Sequence, residues 1–357
     1  MESSETKNYT PITGRTRIAY WDVAKAIAIF CVVWGHCLQN MTTDKDYWLH
    51  DSLSQFIISW HMPLFMVISG YFAYYSFSKP FLTTMLKKTR QLIIPSVSWY
   101  IVIALMAMLF HRDFRMERVT DILVTLPYSM WFLKSLFMCY FITMLGNLLY
   151  RWHSWTLWGY IILIITIGEW LNYVSTISML PFFLVGVLWH RFEKLLFRYS
   201  YPIFIVCFTM FVLMISILNS SDYNLYFHPF KHEWGGYKAM LIRFIIGATG
   251  AYSILSTVKY LSEKYSHSVI VDMLSKLGTL TLGIYCIQVI WAEGMVKSFQ
   301  SYFCAMNPFK GGRFEHLFYD YVLTLFTSVL AILACYVMIK YLRKNRVTRL
   351  VLLGESL

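Results

Sequence analysis

Three ionisable residues stand out in the apolar stretch YWDVAKAIAIFCVVWGH: Asp22, Lys25 and His36. An α-helix advances about 100° per residue. Lys25 and His36 are 11 residues apart, which puts them within about 20° of one another on a helix, and Asp22 falls within about 60° of Lys25. The three therefore share one face. At about 1.5 Å of rise per residue, His36 lies about 16 Å deeper along the axis than Lys25. Charge inside a membrane is costly and turns toward a bundle interior or a wet cavity. Imidazole accepts and donates protons near neutral pH, so a histidine here suits general-base chemistry on a hydroxyl, or transient carriage of a transferred group. The plain structural alternative is an Asp22–Lys25 pair that locks the helix and a His36 hydrogen-bonded to a neighbour.

The elements that carry such residues follow from composition. Of 357 residues, 58% are hydrophobic and 14% charged, and the mean hydropathy is +0.52. Soluble domains average about 25% charged residues, so this chain cannot cover a water-facing surface. A spanning helix needs about 20 apolar residues. About ten runs qualify, near 18–39, 52–77, 91–110, 131–150, 156–172, 177–190, 201–218, 238–258, 271–292 and 318–341. The expected fold is an all-α, polytopic transmembrane bundle of about ten spans. Residues 1–17 form an N-terminal tail, 18–342 the membrane domain and 343–357 a basic tail. The runs lack the polar alternation of barrel strands.

The net charge of +12 does not point to nucleic acid, because Lys and Arg cluster in short loops and in the final segment KYLRKNRVTR. That is the positive-inside pattern, and it predicts both termini in the cytoplasm with anionic lipid as the partner of the basic loops. The loop HRDFRMERVTD, with its mixed charge, is the exception. The polar start of the chain has no cleavable-signal pattern, so the first span is expected to act as a signal-anchor. The seven cysteines form no CxxC pair and read as small buried hydrophobes. HPFKHE, at 228–233, spaces two histidines four apart but offers no third ligand, so no metal site is expected.

The pieces also arrive in a recognisable order. The first span resembles the signature of the acyltransferase-3 family of integral membrane O-acyltransferases, a basic residue, ten residues, then His. Lys25 at its head resembles the fucose 4-O-acetylase-like branch. FIISWHMPLFMVISGYF resembles the second-span motif, LKKTRQLIIP the basic start of the third, MWFLKSLF the fourth-span motif, and LPFFLVGVLW and LSKLGTLTLGIYCIQ the later glycine-containing motifs. The likeness covers roughly residues 17–342. One position departs: the family often has His where this chain has Gln288.

The resemblance implies transfer of an acetyl or other short acyl group from cytoplasmic acyl-CoA to a sugar hydroxyl of a surface glycan or lipid-linked precursor, in a bacterial inner membrane. No permanently bound cofactor is implied. His36 would be general base or acyl carrier, with Asp22 and Lys25 as its catalytic companions. Asp22 is too far along the helix to orient the imidazole, which assigns it to pairing with Lys25 or a neighbouring arginine. Lys87 and Arg90 would hold the phosphates of CoA, while Lys88 reads as an anchor. His61, Trp131, Lys134, Glu169, Arg243 and Gln288 would line the acceptor pocket. Lys134 could instead snorkel, and Glu169 and Arg243 could pair with each other. A transporter or flippase of a glycolipid or small anion is the rival reading. It does not require the basic-to-His spacing. A scaffold that has lost catalysis is the third, and the retained His36 argues against it.

Overall fold

The computed structural model describes residues 19–42, 47–111, 130–152, 174–218, 234–296, 300–309 and 314–355. Helices dominate these residues, and no strand occurs among them. Helix α1 spans Ala19–Met41 and α2 Ser52–Ala73. α3 (Phe81–Lys88) passes through a π-turn at Thr89–Ile93 into α4 (Ile94–His111). α5 is Trp131–Trp152, α6 Val174–Arg191, α7 Ser200–Ile217 and α8 Trp234–Lys264. α9 (Val269–Gly278) and α10 (Thr281–Gln288) follow, and α10 runs on through a second π-turn at Val289–Met295. α11 is Thr324–Leu342 and α12 Arg346–Leu353.

Among the described residues, seven helical stretches are long and apolar enough to cross a membrane, and α9 with the helix at Thr281–Trp291, bent by 65°, makes an eighth if the pair is counted as one span. The protein is a polytopic, all-α membrane bundle. The predicted sixth span, near 177–190, falls within α6. The predicted fifth, 156–172, lies outside the described residues.

Helix α1 is the hub, packing against α2, α8, α9, α10 and α11. This enclosure explains how it tolerates charge: Asp22 is buried and Lys25 and His36 are half-buried, inside protein rather than lipid. Peripheral α7 shows the opposite pattern. It is apolar on every side, and Phe211 alone among its residues is buried, as expected of a helix that faces lipid.

Small residues set the closest approaches. Gly70 of α2 and Gly186 of α6 bring two backbones together: a Cβ on Gly70 would lie 1.9 Å from the Phe183 carbonyl oxygen, and one on Gly186 would lie 2.0 Å from that of Val67. In lipid, such contacts supply the packing that hydrophobic burial cannot. Gly278 does the same at the end of α9, where a Cβ would come 1.9 Å from the carbonyl oxygen of Asp22. The α1 charge ladder is thereby held in register with α9. Five of the seven cysteines are buried, and all seven are free thiols.

Candidate active site

Two features lie along the charged face of α1. Near its start is a cavity of about 460 Å³, ligand-sized by the usual range of roughly 300–1,000 Å³. Lys25 and Ile29 of α1, one turn apart, line it. Its apolar wall is a row of rings, with Phe65 and Phe132 centred 5.8 Å apart and Phe132 and Tyr285 5.6 Å apart. Its polar lining includes Ser69, Gln91, Arg343 and Glu355. Ser69, Gln91 and Tyr285 all fall inside motifs legible in the sequence, although the motifs alone do not say that these side chains meet.

Asp22 and Lys25 pair at 2.7 Å, with side chains 7% and 26% exposed. The buried carboxylate thus has a counter-ion, and Lys25 keeps an edge on the cavity. Lys87 and Arg90 are exposed and lie at and just before the π-turn; neither lines the cavity, whereas Gln91, the next residue, does. Lys88 sits 3.8 Å above the Tyr140 ring, a cation–π contact that anchors it.

Further along α1, beyond Ile29 and buried Val32, is His36. It is half-buried, and its backbone carbonyl accepts a hydrogen bond from Asn40 Nδ2 at 2.8 Å. His36 and Arg243 are electrostatic neighbours of His61, so three helices, α1, α2 and α8, bring these side chains together. His61 is buried, and its Nδ1 lies 2.5 Å from the Ile57 carbonyl oxygen. That contact puts the ring proton on Nδ1 and leaves Nε2 as an acceptor.

Arg243 repairs the proline break in α2. Pro63 has no N–H, so the Ser59 carbonyl four residues back loses its helical donor. Arg243 Nη1 donates to that carbonyl at 3.0 Å and Nη2 donates to the Ile58 carbonyl at 2.9 Å. A guanidinium at 3% exposure is thus used to complete a backbone. This predicts a coupled pair of mutations. Arg243→Leu orphans the buried Ser59 carbonyl and strips a second donor from the half-buried Ile58 carbonyl, and should cost about 3 kcal/mol. In a Pro63→Ala background the restored N–H satisfies Ser59, and the same change should cost at least ~1 kcal/mol less. Thermal unfolding of the four proteins in one detergent measures the coupling. Equal costs in the two backgrounds would refute it.

Gln288 is fully buried, and neither end of its carboxamide has a hydrogen-bond partner among the described residues. It follows Tyr285 by one turn, moving away from the cavity along α10. Trp131 and Lys134 are half-buried on α5 and do not line the cavity. Glu169 and the HPFKHE stretch lie outside the described residues, and no group of three or more metal-ligating side chains is found among those described.

A bundle with a charged, enclosed first helix, a ligand-sized cavity at one end and converging histidines further in defines a polytopic membrane protein with a candidate site among its helices. The chain belongs to the acyltransferase-3 family: the model of that family, described as an acyltransferase domain, matches residues 18–341. It is also similar to nodulation protein NolL of Sinorhizobium fredii, 34% identical over 141 residues, which covers 37% of this chain and 38% of that protein. The likeness to nodulation protein NolL of Mesorhizobium japonicum is 29% over 136 residues, 36% of each chain. These matches span less than two-fifths of the relatives' own length. No solved structure matches.

Proposed function

We propose that the protein is a membrane O-acyltransferase that moves an acetyl or other short acyl group from acyl-CoA to a sugar hydroxyl of a surface glycan or its lipid-linked precursor. One observation carries this reading: the acyltransferase family match runs through nearly the whole chain, and the ionisable ladder from Lys25 to His36 lies on the enclosed helix at its centre. Lys25 at the head of the motif supports the fucose 4-O-acetylase-like branch. The basic loops support an inner-membrane protein with both termini and the 460 Å³ cavity on the cytoplasmic side, where a soluble donor arrives.

In this reading the donor enters beside Lys25 and its acyl end extends past the ring-lined wall toward His36. Lys87 and Arg90 attract its phosphates from the rim. His36 takes the proton from the acceptor hydroxyl as that oxygen attacks the acyl carbonyl, and CoA leaves as the thiol. If His36 first carries the acyl group itself, label remains on the protein after a quench without acceptor. His61, with Nε2 accepting, and Trp131, Lys134, Glu169 and Gln288 contact the acceptor or hold the pocket around it.

The test is transfer by the protein in sealed vesicles. Labelled acetyl-CoA on the face carrying Lys87 and Arg90 should label envelope glycan, and donor on the opposite face should not. Failure across several acyl donors and acceptors would remove the enzyme reading and move the transporter or flippase ahead.

Gln288 supplies a separate check. Gln288→Leu removes two unsatisfied polar atoms from a buried site and should raise stability by about 1 kcal/mol. Transfer should fall if the carboxamide contacts substrate. Unchanged transfer with raised stability would make Gln288 a passive core residue.

A further inference from the structure

We propose that Arg343 is a phosphate-binding residue of the donor cavity, and that the Glu355 carboxylate occupies its guanidinium until acyl-CoA displaces it. The proposal rests on the acyl-CoA reading above and adds to it a cation and a built-in competitor.

Two cations, Lys25 and Arg343, line the cavity. Lys25 is engaged by the buried carboxylate of Asp22 at 2.7 Å. Arg343 is engaged by Glu355 through a fork: its Nε donates to Oε1 at 2.9 Å and to Oε2 at 3.1 Å, and its Nη2 donates to Oε1. A guanidinium fork fits a phosphate by the same two-donor geometry that fits a carboxylate. The Arg343–Glu355 pair is also the exchangeable one. Its side chains are 39% and 33% exposed, and ion pairs that solvated add little stability. A phosphate bears more charge and more acceptor oxygens than one carboxylate.

The backbone around Glu355 is fixed, so the exchange needs only its side chain to move. Asn345 caps α12 through Val347 N at 2.8 Å. Trp99 Nε1 of α4 donates to the Leu352 carbonyl at 2.7 Å. Leu353 is buried at 2% exposure and packs against Gly283. Gly354, at φ 65°, closes α12 in the left-handed conformation, and Glu355 N reaches back to the Arg349 carbonyl at 3.3 Å. Gly354 N donates to the Leu350 carbonyl at 3.2 Å, the 5→1 bond of an αL closure, and this turn delivers Glu355 to the cavity wall. In the sequence, Glu355 is the one acidic residue of 343–357, set among basic residues that read as membrane anchors.

Equilibrium binding of coenzyme A to the full chain, purified in detergent, tests this. Glu355→Gln should tighten coenzyme A binding about three- to fivefold, and Arg343→Gln should weaken it about tenfold. In the Arg343→Gln background, Glu355→Gln should have no further effect. Phosphate-free pantetheine should bind all the proteins alike, and an unchanged melting temperature for Glu355→Gln shows that the fold is intact. If wild type binds coenzyme A and Glu355→Gln binds it no tighter, Glu355 is a structural tie, the proposal falls and the donor reading stands. If no variant and no wild-type sample binds coenzyme A, the proposal and the donor reading fall together.

Discussion

His36→Ala should lower acyl transfer by about 10³-fold, the middle of the range for a lost general base, and should leave the melting temperature of the protein within about 2 °C of wild type. The small thermal effect follows from position. His36 is half-buried, and the described packing of this part of α1 runs through its neighbours. Trp34 Nε1 donates to the Thr324 hydroxyl at 2.9 Å, and the Leu38 carbonyl accepts from the Tyr319 hydroxyl at 3.0 Å. Those bonds tie α1 to α11 and to the π-turn at Tyr319–Leu323 that leads into it, whatever stands at position 36. The large kinetic effect follows from chemistry, since alanine offers neither a lone pair for the acceptor proton nor a nucleophile. Transfer assays on equally folded wild type and variant decide it. Retained transfer in His36→Ala would make the histidine structural and shift attention to His61, whose Nε2 also faces away from its backbone bond.

The second large effect is on folding. Gly70→Ala or Gly186→Ala should destabilise the bundle by at least ~3 kcal/mol, because the added methyl meets a backbone that cannot rotate away. The Cβ would stand 1.9 Å from Phe183 O in one case and 2.0 Å from Val67 O in the other, against a 3.0 Å floor for real contacts. The subtraction, 3.0 − 1.9, requires α2 and α6 to part by about 1.1 Å, and a gap of that size forfeits a quarter to a half of the dispersion attraction along the seam. Gly35→Ala is the control. Its Cβ would meet Ile57 Cγ2 at 3.6 Å, an ordinary contact, so that change should be neutral or slightly stabilising through helix propensity. Unfolding in detergent compares the three. If Gly70→Ala and Gly186→Ala melt with Gly35→Ala, close backbone contact does not set the α2–α6 interface.

Much of this protein is determined by local sequence. Helical period and apolar length are properties of consecutive residues, so the spans, the shared face of Asp22, Lys25 and His36, and the Asp22–Lys25 pair at i,i+3 are readable before any helix is placed. The tertiary structure decides what depends on how separate helices register. Arg243 looks in sequence like a charge awaiting an acid, yet it completes the backbone at Ser59, 184 residues away, because Pro63 broke that backbone first. Lys87 and Arg90 look like the natural donor cations, yet Arg343, just past the end of α11, is the arginine on the cavity wall, and the αL turn with the Trp99 bond returns the end of α12 and its Glu355 to the same site. Helix periodicity carries no information about which neighbour a face will meet. That choice is made by glycine contacts and backbone hydrogen bonds between residues far apart in the chain.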